Sequence, residues 1–207
     1  MRGVAKSRPR TKPPEERRGE IMNAAQRLFL KQGVGPTTIE QITSGADVAK
    51  GTFYLYFSSK DDVLSALAER FAQELLSKIR AAIAEKRNDD WKGKLAAWAS
   101  AGVAGYLESM RLHDIIFYGS RPRRREGLVD NIIVDHLSEL LQAGVDAGAW
   151  PIDDPRFVAV FLFSGLHGAV DAAHVQGKRA DRNRVARRLE QLCFRAVGLL
   201  DTNASSR

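Results

Sequence analysis

Between positions 63 and 83, Val63, Leu64, Leu67, Phe71, Leu75, Ile79 and Ile83 recur as large apolar residues at helical spacing. Steps of three and four bring side chains to one side of an α-helix but to no single side of a strand, so a long helix is predicted over 60–86. The same period governs most of the chain. Ile21, Ala25, Leu28 and Phe29 mark a helix over 14–32, opened by Pro14, Glu15 and Glu16 and stopped by Gly33 and Gly35. Further helices are predicted over 91–110 (Leu95, Trp98, Val103, Tyr106, Met110), 126–148, 155–176 and 181–200, with a short apolar piece at 112–119. Asp153 or Asp154 precedes Pro155 as a start signal. No segment alternates as a strand would, so the class is all-α.

The 207 residues carry a net charge of +7, and it is not spread evenly. The first 60 hold eleven Lys/Arg against five Asp/Glu, so the rest of the chain is close to neutral. A basic N-terminal end points to nucleic acid or an anionic surface. Residues 1–13, with Arg8, Arg10 and Lys12 and almost nothing apolar, read as a flexible basic arm. Arg8 and Arg10 suit either a minor groove or nonspecific attraction. The one cysteine, Cys193, allows no intramolecular disulfide, which suits a reducing cytoplasm, and no apolar run follows Met1 to suggest a secretory signal. The longest uncharged run, 157–170, is short for a bilayer span and reads as a buried helix.

Residues 37–60 carry the chemistry. Thr37 with Glu40, or Thr38 with Gln41, makes a capping box for a short helix with Ile39 and Ile42 inward. Gly45 and Asp47 end it, and a second short helix fits 49–56. Ser59 with Asp62, or Ser58 with Asp61, caps the long helix that follows. Two short helices joined by a tight turn form a helix-turn-helix. In the second, Val48, Phe53 and Phe57 suit the packed side, and Lys50, Gly51, Thr52, Tyr54 and Tyr56 remain for a groove, Tyr54 being the borderline case. Small residues let backbone approach phosphate. Tyrosine offers a hydroxyl to phosphate and a ring to sugar or a thymine methyl, and Lys60 adds charge at the next helix start. Four aromatics in five residues also suit a plain core.

"TTIEQITSGADVAKGTFYLYFSSKDDVL" resembles the N-terminal domain of the TetR family of transcriptional regulators, most specifically over Lys50–Lys60. The resemblance is strong over about 16–64. It implies a three-helix DNA-binding domain at 14–60 after the arm at 1–13, and a helical ligand-binding and dimerisation domain at 61–207. DNA contacts are implied at Thr37 or Thr38, Lys50, Gly51, Thr52, Tyr54, Tyr56 and Lys60. The partners implied are a double-stranded, near-palindromic operator, a second copy of the chain and a small-molecule effector that releases a repressor. A ligand-responsive activator and a nonspecific DNA-binding protein are the alternatives. Three positions depart from the family pattern: Asp47 where Gly is usual in the turn, Ala49 where a Ser cap is usual, and Thr43 where Ala is usual.

The segment 154–175 is apolar nearly all round, with Ser164, Gly165, Gly168, Ala169, Ala172 and Ala173 as small residues. Together with Val185, Leu189, Leu192, Cys193, Ala196 and Leu200 of the last helix it suits a four-helix bundle between two copies. Trp98, Tyr106, Met110, His113, Phe117 and Tyr118 are candidates for the wall of a ligand cavity, and equally for ordinary core. His167, Asp171 and His174 share a helical face but read as interface or hydrogen-bonded groups rather than a metal site. Cys193 reads as packing, and Arg121, Arg123, Arg124 and Arg125 as a solvated face. No nucleophile motif, glycine-rich phosphate loop or metal quartet supports an enzyme built on His113–Asp114 or His167/Asp171. No cofactor is expected, and no membrane partner.

Overall fold

A computed structural model describes residues 13–118, 131–175 and 181–199. Among these, nine helices and no strands are present: α1 (Pro14–Gln32), α2 (Ile39–Gly45), α3 (Lys50–Tyr56), α4 (Lys60–Ala84), α5 (Trp91–Glu108), α6 (Met110–Tyr118), α7 (Ile132–Asp146), α8 (Pro155–Val175) and α9 (Arg182–Ala196). The all-α reading holds, and local rules set most boundaries. Pro14 opens α1, and Gly33 at φ 85° closes it with its N–H on the Phe29 carbonyl. Side-chain oxygens of Asp90, Asn131, Asp154 and Asp181 accept backbone N–H bonds at the starts of α5, α7, α8 and α9. Asp154, not Asp153, is the cap before Pro155. The predicted helix over 91–110 ends at Glu108, and a separate α6 begins at Met110.

The chain divides into two compact units. The first comprises Met1–Glu69 and Arg111–Arg121, and the second Arg70–Met110 and Pro122–Arg207. A linear reading has no means to see that a segment beyond position 110 joins the N-terminal unit. In the first unit α2 packs on α1 and α3 on α2. Ile21, Met22, Ala25 and Phe29 of α1, Ile42 of α2, Phe53 of α3 and the following Phe57 are buried, as are Val63 and Leu67 of α4. Arg111 of α6 donates to the Leu30 carbonyl at 2.9 Å.

In the second unit α5 packs on α9 and α8, and α7 on α8. Leu95, Trp98, Val103, Tyr106, Leu137, Leu141, Phe163, Leu166, Leu189 and Cys193 are buried, each large apolar side chain contributing on the order of 1.5–3 kcal/mol. Trp150 lies against α7. Its indole N–H donates to the Leu141 carbonyl at 2.8 Å, and a Cβ at Gly144 would stand 2.1 Å from its ring. Burial, with a smaller contribution from Glu190, pushes the Cys193 thiol up to about 12.

α8 departs from the expected buried helix. Its stretch Pro155–His174 is long and apolar enough to cross a membrane by length and composition, and little more than a quarter of it is buried. Phe157 and Phe161 are 69 % and 62 % exposed, and Ser164, Gly165, Gly168 and Ala172 continue the exposed stripe at three- and four-residue steps. Leu192 of α9 is exposed as well.

Candidate nucleic-acid interface

α2 begins with a complete capping box. The Thr38 side chain accepts from the Gln41 N–H at 3.2 Å, and the Gln41 side chain accepts from the Thr38 N–H at 3.0 Å. Of the two threonines, only Thr38 is at the surface. Thr37 is buried, and its hydroxyl donates to the Gly33 carbonyl at 2.7 Å, so it braces the turn between α1 and α2. Gln32 ties the same turn together, donating to Thr37 Oγ1 and Gln41 Oε1.

The turn between α2 and α3 shows how the departures from the family pattern are accommodated. Asp47 takes φ 53°, a left-handed conformation that Asp tolerates better than most side chains. Val48 N–H bonds to the Thr43 carbonyl, and Thr43 Oγ1 donates to the Glu40 carbonyl at 3.0 Å, which satisfies a hydroxyl that would otherwise be buried unpaired. Ala49 supplies no side-chain cap to α3.

With only seven residues, α3 holds its pose through Phe53 and Phe57, whose rings meet 5.9 Å apart, with Arg18 of α1 over Phe57. Burying these two fixes which side faces out. Lys50, Gly51, Tyr54 and Leu55 are exposed, and Thr52 and Tyr56 are half-buried. Tyr54, borderline in the sequence, is 51 % exposed, its ring edge-on to Phe53. Gly51 has open space where a Cβ would be, so its lack of a side chain serves no packing within the chain.

Two features escaped the sequence reading. Leu55 is 80 % exposed beside Tyr54, although its apolar side chain argues for the core; its two-residue offset from Phe53 was the available signal. Glu40 of α2 holds the Lys50 ammonium in an ion pair across the motif, and the pairing lowers the Glu40 pKa and raises that of Lys50. Lys60 also differs from a free surface lysine. Its Nζ donates to the carbonyls of Val34, Gly35 and Thr37 at 2.8, 3.0 and 2.6 Å.

The remaining candidates fall elsewhere. Trp98, Tyr106 and Met110 are buried in the second unit, and the Trp98 indole N–H has no hydrogen-bond acceptor among the described residues. His113 is buried in the first unit, its Nδ1 3.7 Å from Asp114 Oδ1. The side chains of Phe117 and Tyr118 lie outside the described residues, as do Arg8, Arg10, Arg121, Arg123, Arg124, Arg125 and Leu200. His167 Nδ1 lies 3.1 Å from the Phe163 carbonyl, and its ring meets those of Tyr106 and Phe163 at 4.5 Å. No cluster of potential metal ligands occurs among the described residues.

Residues 21–67 match the family described as "Bacterial regulatory proteins, tetR family". The uncharacterized HTH-type transcriptional regulator YfiR of Bacillus subtilis is 25 % identical over 183 residues, covering 81 % of this chain and 85 % of that protein. The HTH-type transcriptional repressor KstR2 of Mycobacterium tuberculosis is 33 % identical over 64 residues, 31 % of this chain and 32 % of that one. Among solved structures, the fatty acid degradation regulator FadR from Bacillus halodurans superposes with a TM-score of 0.69 at 24 % identity, over 96 % of this chain and 100 % of its own.

Proposed function

We propose that this chain, whose residues 21–67 match the tetR family of bacterial regulatory proteins, is a DNA-binding transcriptional regulator of that family and acts as a homodimeric repressor, released from a near-palindromic operator by a small-molecule effector. The observation that carries the DNA contact is the outward side of α3. Buried Phe53 and Phe57 leave Lys50, Gly51 and Tyr54 exposed, with Thr52 and Tyr56 at the edge. Lys50 and the tyrosine hydroxyls suit phosphate oxygens, and the rings suit sugar and thymine methyl. Thr38 contributes from the start of α2, whereas the buried Thr37 acts behind it.

Pairing through α8 and α9 is supported by the exposed stripe from Phe157 to Ala172 and by Leu192. Large residues at one end and small ones along the rest allow close approach of a second copy, which would cover a surface costly to leave in water. Two-fold symmetry then sets the recognition helices roughly 34–36 Å apart, one turn of duplex. The repressor reading draws on the family's usual mode and on KstR2, whose similarity is confined to a third of its length.

The effector site is proposed in the second unit around Trp98, Tyr106 and Met110. An indole N–H buried without an acceptor is a group that a polar atom of a ligand would satisfy. Binding would shift the dimer toward a state whose helices no longer match the groove spacing.

The test is a salt-dependent shift assay on the DNA flanking its own gene. Wild type is expected to bind specifically, and Lys50→Ala and Tyr56→Ala to bind at least tenfold more weakly. Equal binding by both variants refutes the interface. Binding that follows salt but ignores sequence favours the nonspecific alternative.

A further inference from the structure

The lysine at the start of α4 sits where a cation is least expected. The N-terminal end of a 25-residue helix carries partial positive charge, so an ammonium there is unfavourable unless something else compensates it. What compensates it is the turn between α1 and α2. Lys60 Nζ lies within hydrogen-bond distance of the carbonyls of Val34, Gly35 and Thr37 at 2.6–3.0 Å. An ammonium has three N–H donors, and three carbonyls use them all. Those carbonyls belong to a non-helical stretch whose acceptors would otherwise depend on water.

We propose that Lys60 is a positioning residue: it fastens the α1–α2 turn to the start of α4 and thereby fixes the pose of Thr38 and Gln41, instead of contacting a phosphate itself. The inference rests on reading α2 and α3 as the DNA interface, and it reassigns one of the residues implied there. The rest of the turn is already rigid on its own side. Thr37 Oγ1 bonds the Gly33 carbonyl, and Gln32 bonds both Thr37 and Gln41. Lys60 supplies the tie across 23 to 26 positions of sequence that this local network lacks. α2 in turn carries Glu40, the ion-pair partner of Lys50, so a displaced turn would misplace the start of α3 as well.

Arginine separates the two roles, since it keeps the charge but cannot point its planar donors at three carbonyls around one point. A phosphate contact predicts that Lys60→Arg binds DNA like wild type, and that Lys60→Met lowers the slope of log K against log salt by about 0.9. The clamp predicts that both variants bind roughly tenfold more weakly with the slope unchanged. In the free protein, it also predicts amide exchange at Thr38 and Gln41 at least tenfold faster than in wild type, with Leu141 of α7 in the second unit unaffected. Wild-type binding by Lys60→Arg, a reduced slope in Lys60→Met or unchanged exchange at Thr38 overturns the proposal. Should either variant unfold, the wild-type protein decides. The Lys60 ammonium protons give a persistent NMR signal that DNA leaves in place if they are clamped, and a signal absent in the free protein or moved by DNA overturns the clamp. Exchange and NMR on the free protein test the clamp even if wild type binds no DNA, an outcome that would fell the interface reading alone.

Discussion

Replacing Gly51 by alanine should make the protein more stable and a worse DNA binder. Gly51 lies in α3 with a negative φ, is exposed, and has nothing within 4 Å of the position a Cβ would take. Alanine therefore fits without strain, and the smaller entropy of its unfolded chain stabilises the folded state by about 0.4–1 kcal/mol. For a chain of this size that is a rise in Tm of roughly 1–4 °C, measurable by circular dichroism. If this glycine exists to let backbone approach the duplex, the added methyl displaces α3 from it. Losing one charge-assisted hydrogen bond of ~1.5–3 kcal/mol weakens binding roughly 10- to 150-fold, readable by fluorescence anisotropy at fixed salt. Stability and affinity must move in opposite directions. A variant that gains stability and binds like wild type refutes the close approach, and one that loses stability refutes the placement of Gly51 in open space.

Gly144 presents the opposite case: an alanine methyl would overlap the Trp150 ring, which its bond to the Leu141 carbonyl holds in place, so Gly144→Ala should cost about 1–3 kcal/mol in a denaturant titration. Glu40→Gln frees the Lys50 ammonium, so DNA binding should tighten a few-fold with a steeper salt dependence; weaker binding would mean that Glu40 serves to aim Lys50. Cys193, buried and with its thiol pushed up to about 12, should resist iodoacetamide at pH 8 in the native protein and react promptly in denaturant. Rapid native labelling would show that the α9 face opens.

The sequence by itself determined the helices and the side of α3 that packs. Apolar period, Pro14, Gly33, the Thr38–Gln41 pair and Asp154 act within a turn or two of themselves, so their effect is readable in order along the chain. Asp47 illustrates the point, because tolerance of a left-handed backbone is a property of the residue and needs no distant partner. Tertiary structure alone decided the fates of Thr37 and Thr38, the ion pair between Glu40 and Lys50, the three carbonyls around Lys60 and the bond from Arg111 to Leu30. Each depends on which backbone or charge arrives from elsewhere, and no residue type encodes that. The outward turn of Phe157 and Phe161 belongs with these. Hydrophobicity states that a side chain seeks cover, and only the packed chain shows that the described helices do not supply it.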